Sequence, residues 1–266
     1  MLAAYLCNPS ASDYSVLRLI AEYGTEVQIE NCNDEVLISA AQFTMCCNSL
    51  TKALEQSGQL ELLLSIELPL ARVLGSMELV GFLADFDGLA EHSKLLQQRI
   101  DALTGEIYSL AGEEFNINSP KQLGQILFVK LGLPAKKKTK SGFSTNAEVL
   151  EELRYDFPIV ELILQYRQLA KLKSTYCDGL LACRGVDGRI HSTFNQTEAR
   201  TGRISSLEPN LQNIPVRTEE GRILRKFFIA REGYVLCDAD YSQIELRVLA
   251  SMAQDPVMID AFKTDT

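Results

Sequence analysis

The sequence has few of the features that mark zinc-binding, secreted or membrane proteins. Only two histidines, His92 and His191, occur in 266 residues, and the seven cysteines show no CxxC spacing, so a zinc site is not expected. The odd cysteine count and scattered positions favour reduced thiols over a disulfide framework. The first residues lack a basic signal-peptide segment, and no apolar run approaches the ~20 residues that span a bilayer. A cytoplasmic protein with no membrane partner is therefore expected.

Basic residues are also in the minority. The chain carries 26 Lys and Arg against 35 Asp and Glu, a formal net charge of −9. This balance by itself argues against a nucleic-acid partner, because such proteins usually neutralise phosphates with excess positive charge. The distribution of charge matters more than the sum, however. Four lysines cluster in one loop, at Lys136, Lys137, Lys138 and Lys140, and they are either a solvated charge run or contacts for phosphates.

Apolar residues recur at helical spacing along most of the chain. Residues 14–64 form one small helical unit by this criterion, and residues 69–110 contain two further helices with a break near 81–87. Ser119 followed by Pro120 predicts the start of another helix, with a cap and a proline at the first position. The lysine-rich loop comes next, and Ser144-Thr145 with Glu148 predicts a capping box before a long helix that reaches Leu172.

The carboxyl-terminal third has a different pattern. Residues 185–188 predict a turn, and residues 189–194 predict a strand. Residues 234–240 predict a short buried strand that ends at Asp240, and apolar residues from Ile244 onward step round a helix. The predicted junction between strand and helix therefore lies at residues 240–242.

This junction carries the most specific motif in the sequence. It reads Asp240-Tyr241-Ser242-Gln243-Ile244-Glu245-Leu246-Arg247 and closely resembles motif A of the family A DNA polymerases. Two upstream segments also resemble family blocks and come in the family's order: residues 201–217, with Thr201-Gly202-Arg203 and Pro209-Asn210-Leu211-Gln212-Asn213, and residues 166–176, with Tyr166-Arg167-Gln168-Leu169-Ala170-Lys171. Three such blocks in order leave little room for a chance match.

The resemblance implies a predominantly helical α+β protein with three parts. Residues 1–64 would be the remnant of a degenerate 3′–5′ exonuclease-like domain, residues 65–186 the thumb, and residues 187–266 the first part of the palm. The implied activity is template-directed addition of deoxynucleotides to a DNA primer, with two Mg²⁺ ions as cofactors. The implied partners are template-primer DNA and deoxynucleoside triphosphates, and the implied state is a cytoplasmic monomer.

Asp240 is the expected metal ligand and the main catalytic residue. Attack of a 3′-hydroxyl on an α-phosphate develops negative charge that divalent cations held by carboxylates can offset. In the family, the backbone carbonyl of the next residue, here Tyr241, also contacts a metal. The alternative is that Asp240 is only a polar residue at the end of a strand.

The rest of the motif would contact the incoming nucleotide, through Tyr241, Ser242, Gln243, Ile244 and Glu245. The family's glutamate crowds the 2′-position of the sugar so that ribonucleotides are refused, and Glu245 stands at that position. A second interpretation is structural, because Ser242 and Glu245 have the spacing of a capping box. One residue can serve both purposes.

Several residues are expected to contact DNA without reading its sequence. Arg203 would reach the minor groove, where every base pair presents acceptors, although an isolated arginine is more often a solvated charge. Gln212 and Asn213 would help to hold the template-primer, or else close turns. Arg167 and Lys171 are four residues apart and share a helix face, as two phosphate contacts require. The lysines at 136, 137, 138 and 140 would contact phosphates from the thumb.

The chain departs from the family at two places. The exonuclease helix that would carry the last metal-binding aspartate reads Val36 to Cys47 here and contains no carboxylate, so proofreading is not expected. The sequence also stops at Thr266, before the family's fingers helix and second catalytic carboxylate, so the chain alone is expected to be inactive. Two rival functions remain: a non-catalytic module that binds duplexes, and a helical interaction scaffold, which the net charge of −9 favours weakly. The gene sequence beyond Thr266 would separate them.

Overall fold

The fold comes from a computed structural model that describes residues 1–24, 35–135, 138–139, 142–216 and 218–264. These residues form two compact units, Met1–Ile229 and Ala230–Thr266. The predicted α+β class with a predominance of helices is confirmed. The predicted domain boundaries after residues 64 and 186 remain predictions, and both lie inside the first unit. Within the described ranges, no helix combines the length and the apolar character needed to cross a bilayer.

Helices account for most of the ordered backbone. The α-helices are α1 Leu2–Cys7, α2 Val16–Tyr23, α3 Glu35–Gln56, α4 Leu60–Leu62, α5 Leu68–Val80, α6 Phe86–Ala111, α7 Pro120–Gly124, α8 Ala147–Glu151, α9 Pro158–Lys171, α10 Gly179–Ala182, α11 Glu219–Arg225, α12 Ile244–Ala253 and α13 Pro256–Thr264. Three π-helical segments continue α4, α7 and α9 directly, at Leu63–Glu67, Gln125–Lys130 and Leu172–Asp178.

The strands are short and form two-stranded sheets. They are β1 Phe82–Leu83, β2 Lys138–Thr139, β3 Gly142–Phe143, β4 Arg189–Ile190, β5 Thr193–Asn195 and β6 Ser205–Leu207. All three pairs are antiparallel: β1 with β4, β2 with β3, and β5 with β6. Ladders of two or three residues contribute little stability alone, so packing against helices must hold them in place.

Helix α6 is long enough to contribute to two hydrophobic clusters. Its first half buries Leu89 and Leu96 against the π-helical segment after α9 and against Leu224 of α11. Its last turns bury Ile107 in a separate cluster with α7, α8 and the start of α9, where Leu150 and Val160 are fully buried. The spacing of residues 89 and 96 keeps these side chains on one face of the helix. The helical pattern predicted for this region is confirmed.

The amino-terminal residues form the small helical unit that the sequence predicts. Ala4 of α1, Leu19 of α2, and Cys46 and Leu50 of α3 are buried together. The Cys46 thiol also donates a hydrogen bond to the Leu19 carbonyl over 3.4 Å, and burial raises its pKa. This thiol is therefore a packing residue rather than a nucleophile.

Helix starts are predicted correctly in some places and wrongly in others. The Ser119 hydroxyl caps α7 by accepting the Gln122 amide, as expected. The capping box predicted at Ser144, Thr145 and Glu148 is wrong, because the cap is Asn146, whose Oδ1 accepts the Val149 amide over 3.2 Å. The Ser144 hydroxyl donates to Asn146 Oδ1 instead, over 3.1 Å.

The single strand predicted at residues 189–194 is divided into β4 and β5. The interruption lies at His191 and Ser192, whose side chains bond to different parts of the chain. β4 pairs with β1 whereas β5 pairs with β6, so the backbone leaves one ladder before it joins the next. The turn predicted at 185–188 is confirmed by the hydrogen bond from the Gly188 amide to the Gly185 carbonyl, at 3.0 Å.

Candidate functional site

The Thr201-Gly202-Arg203 block forms a tight surface turn. Gly202 has φ 77°, a left-handed conformation that glycine adopts without steric cost. Its amide donates to the Ala199 carbonyl at 3.2 Å and to the Tyr5 hydroxyl at 3.0 Å. Arg203 follows directly and is exposed. The turn therefore presents the predicted DNA-contacting arginine at the surface of the first unit.

A buried network of two serine hydroxyls lies beneath the segment that follows this turn. Ser206 on β6 and Ser192 are almost completely buried, and their hydroxyl oxygens are 2.7 Å apart. Ser192 Oγ donates to the Pro209 carbonyl at 2.8 Å, and Ser206 Oγ accepts the Leu211 amide at 3.0 Å. Sequence reasoning missed the structural role of both serines. The sequence carries no local signal for this network, because Ser192 bonds to residues 14 and 17 positions away.

Gln212 and Asn213 lie in the loop that this network supports, and both are exposed. Asn210 Oδ1 accepts the backbone amides of Gln212 and Asn213, at 3.0 and 3.2 Å. The Gln212 side chain donates to the Ile204 carbonyl at 2.6 Å, and the Asn213 carbonyl accepts the Tyr176 hydroxyl. The side-chain amide of Gln212 thus closes the loop, which agrees with the alternative that this residue closes a turn. The Asn213 side chain lies at the surface.

Arg167 and Lys171 share one face of α9, as their spacing predicts, but their environments differ. The Arg167 guanidinium donates to the carbonyl of Thr145 and, at 3.4 Å, to its hydroxyl. Burial lowers the pKa of Arg167 below its ordinary value. Lys171 is exposed. Arg167 therefore ties α9 to the residue before the α8 cap, while Lys171 reaches solvent.

A cleft of about 730 Å³ adjoins Arg167 in the same cluster of helices. It is open to solvent and brings the start of α7 next to the segment before α8. Its lining residues are Asn118, Ser119, Pro120, Lys121, Phe143, Ser144, Thr145, Asn146 and Arg167. The cleft adds the exposed Lys121 to the candidate phosphate contacts, a residue that sequence reasoning did not single out.

The lysine cluster falls largely outside the described residues. Lys136, Lys137 and Lys140 are not described, and Lys138 is described only as part of the backbone of β2. β2 pairs with β3 in an antiparallel hairpin, with Lys138 opposite Phe143. The predicted loop therefore contains a short hairpin, and its phosphate contacts remain a prediction.

In the second unit, the predicted buried strand at residues 234–240 is wrong. The segment is irregular and exposed, with Val235 at 86% and Leu236 at 65% of full exposure. A strand needs a neighbour for its backbone amides and carbonyls, and no segment in the described part of this unit pairs with it. Asp240 consequently lies on an exposed segment rather than at a buried strand end, and Tyr241 is 81% exposed.

The helix after the motif begins at Ile244, later than the predicted capping box requires. Gln243 occupies the N-cap position with φ 50°, and no side chain caps this end. The capping box of Ser242 and Glu245 is therefore wrong, because Ser242 lies one residue outside the position that caps a helix. Its carbonyl instead accepts a hydrogen bond from Arg247 Nε over 2.9 Å. Glu245 lies in the first turn, where a negative charge interacts favourably with the helix dipole.

The oxygen donors at this junction fit part of a magnesium site. Mg²⁺ prefers few protein ligands, all oxygen, with water and phosphate completing the shell. The Asp240 carboxylate and the adjacent Tyr241 carbonyl have this chemistry. Among the described residues, no group of three or more His, Cys, Asp and Glu side chains is close enough to hold a metal ion. One carboxylate and one carbonyl can therefore contribute to a site for two ions.

Comparison with known proteins agrees with the motif blocks. Residues 86–266 match the model of DNA polymerase family A. The chain is 46% identical over 267 residues to DNA polymerase I of Caldicellulosiruptor bescii, in a match that covers all of this chain and 31% of that protein. It is 44% identical over 284 residues to DNA polymerase I of Bacillus subtilis, in a match that covers all of this chain and 32% of that protein.

A solved structure is similar over nearly the whole chain. It is the POL domain of Pol1 from M. smegmatis in complex with DNA primer-template and dNTP, with a TM-score of 0.85 and 39% identity over 98% of this chain and 46% of that chain. The chain thus spans about a third of the length of the curated relatives and about half of the solved one. Because the matched family region covers most of the sequence and the fold agrees, the chain belongs to DNA polymerase family A.

Proposed function

We propose that this chain is part of a DNA-directed DNA polymerase that extends a DNA primer on a template with deoxynucleoside triphosphates. The observation that carries the proposal is the eight-residue block from Asp240 to Arg247, which lies inside the family-matched region. The relatives named DNA polymerase I support the activity. The solved relative in complex with primer-template and dNTP supports the partners.

In this proposal the Asp240 carboxylate and the Tyr241 carbonyl would hold Mg²⁺. When bound, the ions offset charge on the α-phosphate and favour ionisation of the primer 3′-hydroxyl. Asp240 contributes a carboxylate next to a backbone carbonyl, so two hard oxygen donors come from adjacent residues. The exposure of Asp240 leaves it accessible to a nucleotide and to water molecules of the metal shell.

Glu245 acts in this proposal as the group that excludes ribonucleotides. Its place in the first turn of α12 fixes its backbone relative to the motif. The structural alternative of a capping box has no support, because the helix starts after Gln243. Exclusion through a clash with the 2′-hydroxyl requires a side chain held by a regular element, which α12 provides.

The DNA-contacting residues would position the duplex without selecting a sequence. Arg203 presents its guanidinium next to a turn with a defined conformation, and the lysines at 136, 137, 138 and 140 add positive charge in an otherwise acidic chain. Lys171 and Lys121 are exposed and suited to phosphate contacts. Arg167 is less suited to a phosphate contact, because Thr145 already accepts hydrogen bonds from its guanidinium.

The proposal also covers proofreading, compartment and assembly. Helix α3 carries the segment from Val36 to Cys47, which has no carboxylate to hold a hydrolytic metal ion, so the amino-terminal region serves as a structural remnant.

The six cysteines that lie in described residues are free thiols, which supports a reducing, cytoplasmic location. A monomer is proposed, because one complete active site in the full-length polypeptide would suffice for the reaction.

Substitution of Asp240 tests the proposal in the full-length product of the gene that encodes this chain. Asp240→Ala should lower templated primer extension by at least about 100-fold while primer-template binding stays within about twofold. Asp238→Ala removes a carboxylate two residues away, also exposed, and should extend primers normally. Normal extension by Asp240→Ala would refute the metal role. DNA binding without any extension by the unsubstituted protein would favour the rival duplex-binding module.

A further inference from the structure

The hydroxyl of Tyr5 joins the amino-terminal helix to the turn that presents Arg203. Tyr5 lies on α1 and is only 3% exposed. Its hydroxyl donates to the Ala199 carbonyl at 2.6 Å and accepts the Gly202 amide at 3.0 Å. These partners are 194 and 197 residues away in the sequence, so the contact joins distant parts of the first unit.

Both hydrogen bonds of this hydroxyl go to the two ends of one turn. A tyrosine hydroxyl has one proton to donate, and a buried one needs partners. The Gly202 amide also bonds across the turn to the Ala199 carbonyl at the longer distance of 3.2 Å. The hydroxyl thus clamps the turn from outside and favours the left-handed φ of 77° at Gly202, which sets the direction in which the chain continues to Arg203.

Tyr5 is itself held firmly by the amino-terminal unit. Its ring packs edge-on against Tyr14, with centroids 6.1 Å apart and planes at 80°. The Tyr14 hydroxyl donates to the Asn8 carbonyl at 2.6 Å. The neighbouring Ala4 is buried against Cys46 and Leu50 of α3. The hydroxyl is therefore presented by packed helices.

We propose that Tyr5 is a positioning residue for DNA binding, which acts through the turn at residues 199–202 on Arg203. In this way the amino-terminal helical unit contributes to the grip on the primer-template duplex. The inference rests on the proposed function, because it requires Arg203 to contact DNA. It assigns to residues 1–64 a task other than hydrolysis, namely to stabilise one conformation of a DNA-contacting turn.

Tyr5→Phe in the full-length protein tests this contact, because it removes one oxygen and keeps the ring that packs on Tyr14. We expect the Kd for a primer-template duplex to rise about 3- to 10-fold, the change that corresponds to one or two hydrogen bonds. Tyr14→Phe is the matched control, since it removes a hydroxyl in the same unit whose partner, Asn8, is outside the turn. The Kd of this control should differ from that of the unsubstituted protein by less than about twofold.

A double-mutant cycle with Arg203→Ala separates positioning from general structural damage. Once Arg203 is removed, Tyr5→Phe should raise the Kd no further, whereas independent effects would multiply. Gly202→Ala provides a second route, because a Cβ there meets no atom within 4 Å and acts only through the strained backbone. It should weaken binding in the unsubstituted background and have little effect when Arg203 is already replaced.

Each of the following results would overturn the inference. If Tyr5→Phe lowers the Tm while the Kd stays unchanged, or raises the Kd equally with and without Arg203, then Tyr5 does not act through Arg203. If Arg203→Ala itself leaves the Kd unchanged, the proposed contact between Arg203 and DNA fails, and the role of Tyr5 fails with it. Weaker binding by Arg203→Ala together with normal binding by Tyr5→Phe rejects only the positioning role.

Discussion

Single polar side chains hold the loops of the first unit in place. The almost completely buried hydroxyls of Ser192 and Ser206 bring two strands and the segment after Pro209 together. An apolar side chain in place of Ser206 would leave the Leu211 amide without its partner. Burial of such a group without a hydrogen bond costs more than the bond itself contributes.

The first prediction concerns Ser206. Ser206→Ala should lower the free energy of unfolding by about 1–3 kcal/mol, because it removes the acceptor of the partly buried Leu211 amide and one partner of the buried Ser192 hydroxyl. Denaturant titration measures this quantity. Ser205→Ala is the control, since the Ser205 hydroxyl donates to the carboxylate of Glu198 near the surface, and it should cost less than about 0.5 kcal/mol. Equal effects for both serines would contradict the role of the buried network.

The second prediction concerns Glu245 in the full-length protein. Glu245→Ala should raise ribonucleotide incorporation relative to deoxyribonucleotide incorporation by about tenfold or more, because the side chain no longer meets the 2′-hydroxyl. Single-nucleotide incorporation kinetics with each substrate measure the ratio. Glu232→Ala, which replaces an exposed glutamate in the same unit, should leave the ratio unchanged. Lower thermal stability with no change in the ratio would show that Glu245 only stabilises the first turn of α12.

At the level of secondary-structure elements, the start of helix α8 depends on which polar groups already have other hydrogen-bond partners. Thr145 stands at a favourable capping position in the sequence, yet its carbonyl and hydroxyl accept hydrogen bonds from Arg167. The cap then passes to Asn146. Helix α9 continues without interruption into a π-helical segment at Leu172–Asp178 and then into α10. Side-chain periodicity locates these helices but does not distinguish α from π geometry.

The third prediction concerns the four lysines at positions 136, 137, 138 and 140. Replacing Lys136, Lys137, Lys138 and Lys140 with Ala should weaken binding about equally for unrelated duplex sequences. The slope of log Kobs against log salt concentration should fall in magnitude by up to about 0.9 for each phosphate that the variant no longer neutralises. Fluorescence anisotropy titrations at several salt concentrations measure both quantities.

The control for this prediction removes the same charge elsewhere. Lys52, Lys94, Lys226 and Lys263 are exposed and lie outside the hairpin. Their replacement by Ala changes the net charge equally, so it accounts for long-range electrostatics. An equal slope change in both variants would identify the lysines at 136, 137, 138 and 140 as a solvated charge run.

At the level of the whole molecule, the chain corresponds to part of a family A polymerase. It spans about a third of its curated relatives. Most described residues after Gln243 lie in α12 and α13. In the proposed mechanism two metal ions would be shared between carboxylates from separate segments, so Asp240 would act together with a second carboxylate.

The fourth prediction follows for the 266-residue chain expressed alone. It should not extend a primer with Mg²⁺ and all four deoxynucleotides, because Asp240 by itself cannot hold two ions against their hydration and the described residues contain no group of three or more His, Cys, Asp and Glu side chains that could hold a metal ion. Weak duplex binding should remain. Gel-based primer extension, with the full-length gene product as positive control, measures the activity. Templated extension that disappears in Asp240→Ala would show that this chain completes the site by itself.

Local patterns in the amino-acid sequence were enough to establish the family, the predominance of helices and the positions of the long helices. Motif A and the two upstream blocks are each a continuous segment of sequence, so each can be recognised without knowledge of three-dimensional contacts. The side-chain spacings in α6 and α9 likewise depend only on the local helix period. The Ser119 cap and the break after α5 were also predicted correctly, because the required groups lie within a few residues of one another.

Long-range packing, by contrast, determined which hydrogen-bond partners each polar group has and which segments pair as strands. The Tyr5 hydroxyl bonds to residues 194 and 197 positions away, and Arg167 binds the residue that would otherwise cap α8. The strand predicted before Asp240 did not form, because an alternating or apolar segment becomes a strand only when another backbone accepts its hydrogen bonds. Partners of this kind come from distant parts of the folded chain, and a local sequence pattern does not contain them.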